Sequence, residues 1–108
     1  MDSLPTALVV SNYPIIVASA KALLRDRYHI EPRTWAEYNA APPERAHLLL
    51  ADVTGMMALE ALDLLQTTAM GTRVVLCSLD RNEIKVYRIG QNGPMIETEL
   101  PSLLALSA

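Results

Sequence analysis

The chain predicts a three-layer α/β domain on a mostly parallel five-stranded sheet, with a shortened C-terminal part. Three observations predict it. Apolar runs at Thr6–Val10, Leu48–Asp52 and Arg73–Ser78 are bounded by turn residues, as strands covered on both faces are. Between them stand segments whose apolar residues recur at three-and-four spacing, as on a one-sided helix. Strands alternating with such helices make βαβ units and a parallel sheet.

Taken in order, Thr6-Ala-Leu-Val-Val10 lies between Pro5 and Ser11-Asn12 and forms the first strand. Asn12 is placed to cap the following helix, and Pro14 suits its first turn because a missing N–H costs nothing there. That helix runs from Pro14 to about Arg27 on the stripe Ile16, Ala20, Leu23 and Leu24. His29–Arg33 is a weak second strand, sent to an edge by Pro32. Thr34 and Glu37 make a capping box for a short helix through about Asn39, stopped by Pro42-Pro43. His47-Leu-Leu-Leu-Ala-Asp-Val53 is the central strand, and it hands over to a single carboxylate, Asp52. From Gly55 to Met70 the residues Met56, Leu59, Ala61/Leu62, Leu65 and Ala69 give another amphipathic helix, with Gly71 as its C-terminal cap. Two readings fit the segment after Ser78. Either Glu83–Ile89 and Pro94–Thr98 form a hairpin about Asn92-Gly93, or Asp80–Ile89 is a stunted helix and Pro94–Thr98 a fifth parallel strand. Leu100–Leu106 reads as a short terminal helix.

Length and composition set the outer bounds. One domain over residues 1–108 is the natural division, with no repeat and no linker. No apolar run approaches the ~18 residues that cross a bilayer, and Met-Asp-Ser-Leu-Pro has neither the basic nor the apolar part of a secretory signal. With one cysteine, Cys77, no internal disulfide can form, so a cytoplasmic location is expected. The net charge of −3 argues against nucleic acid as a partner. The one basic cluster, Lys21, Arg25 and Arg27, reads as a solvated helix face. His29 and His47 share no metal-ligand spacing with Cys77, and the glycines form no phosphate-binding motif, so neither metal nor cofactor is expected.

Several of these segments resemble those of a bacterial response-regulator receiver domain. Val9-Val-Ser-Asn-Tyr-Pro-Ile15 is similar to the family's first strand and acidic pair, and Leu48-Leu-Leu-Ala-Asp52 to the strand bearing its phospho-accepting aspartate. Gly55-Met56 with Leu59-Glu-Ala-Leu62 resembles the third loop and helix. Gly71–Ser78 resembles the fourth strand with its closing hydroxyl, and Gly90–Glu97 the glycine pair and fifth strand. The resemblance implies a flavodoxin-like three-layer sandwich with Asp52 as phospho-acceptor equivalent. It also shows what is missing. A working receiver holds Mg²⁺ with an acidic pair and neutralises the phosphoryl group with a lysine; here Ser11 and Asn12 stand for the pair and Glu97 for the lysine.

Phosphoryl transfer depends on positioning and on neutralising charge. A pocket of Ser11, Asn12, Asp52, Ser78 and Glu97 supplies one carboxylate and a second, repelling one, which would raise a pKa between Asp52 and Glu97 if they were neighbours. The expected function is therefore a non-enzymatic protein-interaction and signalling module, a pseudo-receiver without its Mg²⁺ and phosphorylation pocket. The alternative is a two-component receiver phosphorylated on Asp52 in a non-standard pocket. A homodimer through segment 83–106 is expected, with Ile84, Val86, Tyr87, Ile89, Leu100, Leu103 and Leu104 as interface candidates. Trp35 reads equally as a lid over the sheet or as a partner contact.

Overall fold

The computed structural model describes residues 4–40, 46–80 and 83–100. Along the chain these form β1 (Thr6–Val10), α1 (Pro14–Leu24), β2 (His29–Arg33), α2 (Trp35–Ala40), β3 (Leu48–Asp52), α3 (Ala58–Thr67), β4 (Arg73–Ser78), β5 (Glu83–Gly90) and β6 (Gly93–Leu100). One sheet of six strands runs in the order β2-β1-β3-β4-β5-β6. The first four strands are mutually parallel, whereas β5 and β6 are antiparallel and carry the two longest ladders.

This overturns the expected flavodoxin-like sandwich with its mostly parallel five-stranded sheet. The sheet is mixed, and three short helices are all that the described residues contribute to its faces. The cause is local. A parallel crossover needs a dozen or more residues, usually a helix. The link from Ser78 to Glu83 is far shorter, so the chain can only turn back beside β4, pairing Ser78 with Glu83 and Arg73 with Arg88. Asp80–Ile89 is then no stunted helix. Gly90 pairs with Gly93 around Gln91 and Asn92, and Gly93 takes the left-handed φ of +102° that closes the hairpin. The β5–β6 register skips Glu97 between Val86↔Thr98 and Tyr87↔Ile96, a β-bulge that bends the last strand. Leu100 belongs to β6, paired with Ile84, and does not open a helix; the rest of the expected terminal helix, with Leu103 and Leu104, lies outside the described residues.

Because strand residues alternate between faces, the sheet carries two apolar layers. On one face Ala7, Val9, Leu48, Leu50, Val75, Cys77, Ile84 and Val86 are buried with α1 residues Ile16, Ala20 and Leu24. On the other, Leu8, Val10, Leu49, Ala51, Val74, Leu76 and Ile89 are buried with Leu64 and Leu65 of α3, while Trp35 and Tyr38 of α2 pack alongside. All five residues of β3 are buried, which puts this strand in the middle of both layers.

The helices depart from expectation at their ends and in one face. α1 closes at Leu24 rather than near Arg27, and no side chain caps its start at Tyr13. α3 begins at Ala58, because Gly55 spends a φ of +79° on the turn that bonds Met56 N–H to the Val53 carbonyl. Leu64 and Leu65 form its inward face, while Leu59 and Leu62, expected on the core stripe, are 73% and 45% exposed.

Candidate functional site

The carboxyl ends of β1, β3 and β4 meet at one edge, where ligands and chemistry usually sit in open α/β sheets. Asp52 ends β3 there and is only 2% exposed. A charge so buried must be fully hydrogen-bonded to persist. Ser11 Oγ donates to its Oδ2 at 2.7 Å; Thr54 donates to Oδ1 twice, from its N–H at 3.1 Å and its hydroxyl at 2.5 Å. The Thr54 contribution follows from sequence spacing, since an aspartate readily accepts from the N–H two residues on.

These bonds tie three loops together. Ser11 Oγ also accepts from Tyr13 N–H at 3.0 Å, fixing the start of α1. Thr54 Oγ1 accepts from Leu79 N–H at 2.9 Å, fixing the exit of β4. The Asp52 backbone carbonyl accepts from Trp35 Nε1 at 2.9 Å, which holds the indole over the sheet end. Asn12 does not cap α1; its Oδ1 accepts from Trp35 N–H at 3.0 Å, at the first residue of α2. The capping box forms as spaced, with Thr34 N–H on Glu37 Oε1 at 2.8 Å and Glu37 N–H on Thr34 Oγ1 at 3.2 Å. The Thr34 backbone N–H, and after it the Thr34 side chain, hold the Glu37 carboxyl below its ordinary pKa.

Of the expected pocket residues, the fold hydrogen-bonds Ser11 to the Asp52 carboxylate. Ser78 Oγ bonds to Asp80 Oδ1. Glu97 lies on β6, three strands from β3, about 14 Å of sheet away. Glu97 is therefore not on the strand beside β4, as the resemblance implied, because β5 occupies that place. Thr54 and Trp35 take the positions around Asp52 instead.

Cys77 pairs with Asp52 across β3–β4 and is buried. Burial, with the Asp52 charge as a second cause, pushes its thiol up to about 12, so at neutral pH it is a protonated apolar side chain. His47 Nδ1 accepts from Thr6 N–H at 3.2 Å at the opposite end of the sheet. Among the described residues no group of three His, Cys, Asp or Glu side chains could hold a metal ion. None of their helices is long and apolar enough to cross a membrane.

Two recesses flank the tie, both on the α2–α3 face. A groove of about 830 Å³ runs between α2 and α3, with Trp35 and Tyr38 on one wall and Glu60, Asp63 and Thr67 on the other. Its floor is Leu8 and Leu49. The Trp35 and Tyr38 ring centroids are 5.6 Å apart and tilted at 49°, and burial pushes the Tyr38 phenol above its ordinary value. A smaller apolar cleft of about 220 Å³ lies on the other flank of α3, between Met57, Leu62 and Leu65 and the strand residues Leu76 and Tyr87. Sequence reasoning left Trp35 open and missed Tyr38, Glu60 and Asp63. Their spacing, at i, i+3 on each helix, marks two facing stripes only once the helices are known to be neighbours.

The interface candidates divide in the same way. Ile84, Val86 and Ile89 are buried within their own chain, which leaves them no surface for a partner. Tyr87 is half-buried and lines the smaller cleft. No family model, curated protein or solved structure matches the chain.

Proposed function

We propose that the chain is a non-catalytic protein-interaction module that associates with a second copy through α3 and the β5–β6 hairpin. The observation that supports it most is the display of apolar side chains on this flank: Met57 at the N-cap of α3, Leu59 and Leu62 within α3, and Ile96 of β6, which is 52% exposed. Tyr87 joins the two groups, lining the cleft with Met57 and Leu62 and pairing across the strands with Ile96. Apolar side chains grouped in this way are what a protein–protein contact buries.

The sheet edge supports the same partner. Among the described residues nothing pairs with the outer side of the eight-residue β6. The opposite edge, β2, carries Pro32 and the charged pair Glu31–Arg33, which discourage strand addition. A two-fold axis beside β6 pairs its free N–H and C=O groups with their own equivalents, and the apolar flank is buried in the same contact. A catalytic reading has less support, since the one buried carboxylate of the sheet end is consumed by bonds to its own chain.

Sedimentation velocity from low to high micromolar concentration tests the proposal. A monomer–dimer equilibrium is expected, displaced to monomer by Leu62→Lys or Ile96→Lys with the circular dichroism unchanged. A monomer throughout the range overturns it, as does a dimer that both substitutions leave intact.

A further inference from the structure

We propose that the α2–α3 groove is a binding site for an organic cation, a guanidinium or a methylated ammonium group. This goes beyond the self-association reading and uses the other flank of α3. Three features of the groove point to that chemistry.

The first is an aromatic wall fixed before any ligand arrives. Trp35 is held at both its backbone and its ring, by Asn12 and by the Asp52 carbonyl, and Tyr38 stands one helical turn on with its ring against the indole. Aromatic faces attract cations through the ring quadrupole, tryptophan most strongly. A wall already locked by hydrogen bonds loses little conformational freedom on binding.

The second is the charge of the opposite wall. Glu60, Asp63 and Thr67 follow the i, i+3, i+7 spacing of one helix face, and both ionisable members are acidic. Among the described residues no lysine or arginine lines the groove. Glu60 Oε1 also accepts from Met57 N–H at 3.4 Å in the capping box of α3, and an anionic ligand would meet repulsion from both carboxylates. A cation between the two helices meets aromatic faces on one side and carboxylates on the other.

The third is size and place. About 830 Å³ lies within the range of small-molecule sites, and Leu8 and Leu49 give it an apolar floor for the body of the ligand. Asn12 and Thr54 bring polar side chains to the end nearest the carboxyl edge of the sheet, the customary ligand position in α/β sheets. Arginine and methylated amines share the required chemistry whether free or carried on a peptide.

Trp35 is the only tryptophan, so its emission reports on this groove alone. The experiment titrates the full chain with arginine amide, benzyltrimethylammonium and a short arginine-containing peptide, using citrulline amide as the neutral control. Saturable quenching by the cations and not by citrulline amide is expected. A peptide that binds more tightly than arginine amide identifies a protein partner as the source; equal affinities identify the free cation. Glu60→Gln and Asp63→Asn each keep the side-chain shape and are expected to weaken binding about two- to fivefold, more at low salt. Tyr38→Leu, which removes the ring but retains an apolar body, is expected to weaken it by a similar factor. Unchanged circular dichroism checks that each variant is folded. The proposal is overturned if no cation gives a saturable change, if citrulline amide binds as well as arginine amide, or if the double variant E60Q/D63N binds the cations as tightly as the parent.

Discussion

Replacing Asp52 separates a structural carboxylate from a chemical one, because Asn and Ala should then behave very differently. In Asp52→Asn the retained oxygen still accepts both Thr54 donors. The new amide N–H donates to Ser11 Oγ, whose proton turns to the Tyr13 carbonyl already 3.4 Å away. Geometry survives, and charge-assisted bonds become neutral ones about half as strong. The expected cost is about 1–2 kcal/mol. Asp52→Ala leaves the Thr54 N–H and hydroxyl without their acceptor beside a buried void, for about 3–4 kcal/mol. With a slope near 1–1.5 kcal/mol/M for a chain of this size, urea midpoints should fall by about 1 M and about 2–3 M with the slope unchanged. Two results would refute the reasoning. One is an Asn variant more stable than the parent, the mark of a carboxylate held under strain for function. The other is an Asp52-dependent phosphoryl adduct on incubation with Mg²⁺ and a small phosphodonor.

Two further outcomes follow from the same structure. Cys77 keeps its proton in the fold from about pH 9 to about 12, whereas the unfolded chain loses it near 9.0. The folded state then binds more protons, so stability falls as pH rises through that window, by about 1.4 kcal/mol per unit and on the order of 4 kcal/mol across it. Chemical denaturation at increasing pH should show this decline, flattened in Cys77→Ala, and a thiol alkylated rapidly at pH 8 in the native protein would contradict it. At Gly93 a methyl group would meet no atom within 4 Å, so Gly93→Ala isolates the backbone cost of φ +102°. A loss of about 1–2 kcal/mol by thermal or urea unfolding is expected, and no loss would mean that the hairpin turn relaxes without penalty.

What the sequence discloses depends on how local its cause is. β1, β3 and β4 are legible because burial and turn residues are written in consecutive positions, and β2 as an edge strand because of Pro32. The Thr34–Glu37 box is legible because both partners lie within one turn. The Asn92-Gly93 signal marks the hairpin turn, but it could not by itself exclude a helix over Asp80–Ile89. The short link after Ser78 does so, since it leaves no room for a crossover helix before the strand that pairs with β4. Leu59 and Leu62 were misassigned to the core for a different reason. α3 carries leucines on more than one side, and only the placement of the sheet selects Leu64 and Leu65 as the buried pair.

The site was legible in position and not in composition. Asp52 at the end of an apolar strand announces the carboxyl edge, yet its partner Ser11 is 41 residues away and its neighbour Trp35 is 17. Those pairings exist only because β1 lies beside β3 and α2 crosses above them. Their consequence reaches past stability. Ser11 and Thr54 satisfy the Asp52 carboxylate, and the indole of Trp35 bonds its main-chain carbonyl. The bond from its Nε1 to the Asp52 main-chain carbonyl fixes Trp35 as a wall of the α2–α3 groove. Because Trp35 is held by the Asp52 main-chain carbonyl, which Asp52→Ala retains, that substitution should weaken the fold and leave the indole's bond in place. Asp63→Asn should weaken cation binding alone, whereas Glu60→Gln also removes a charge from the α3 capping box.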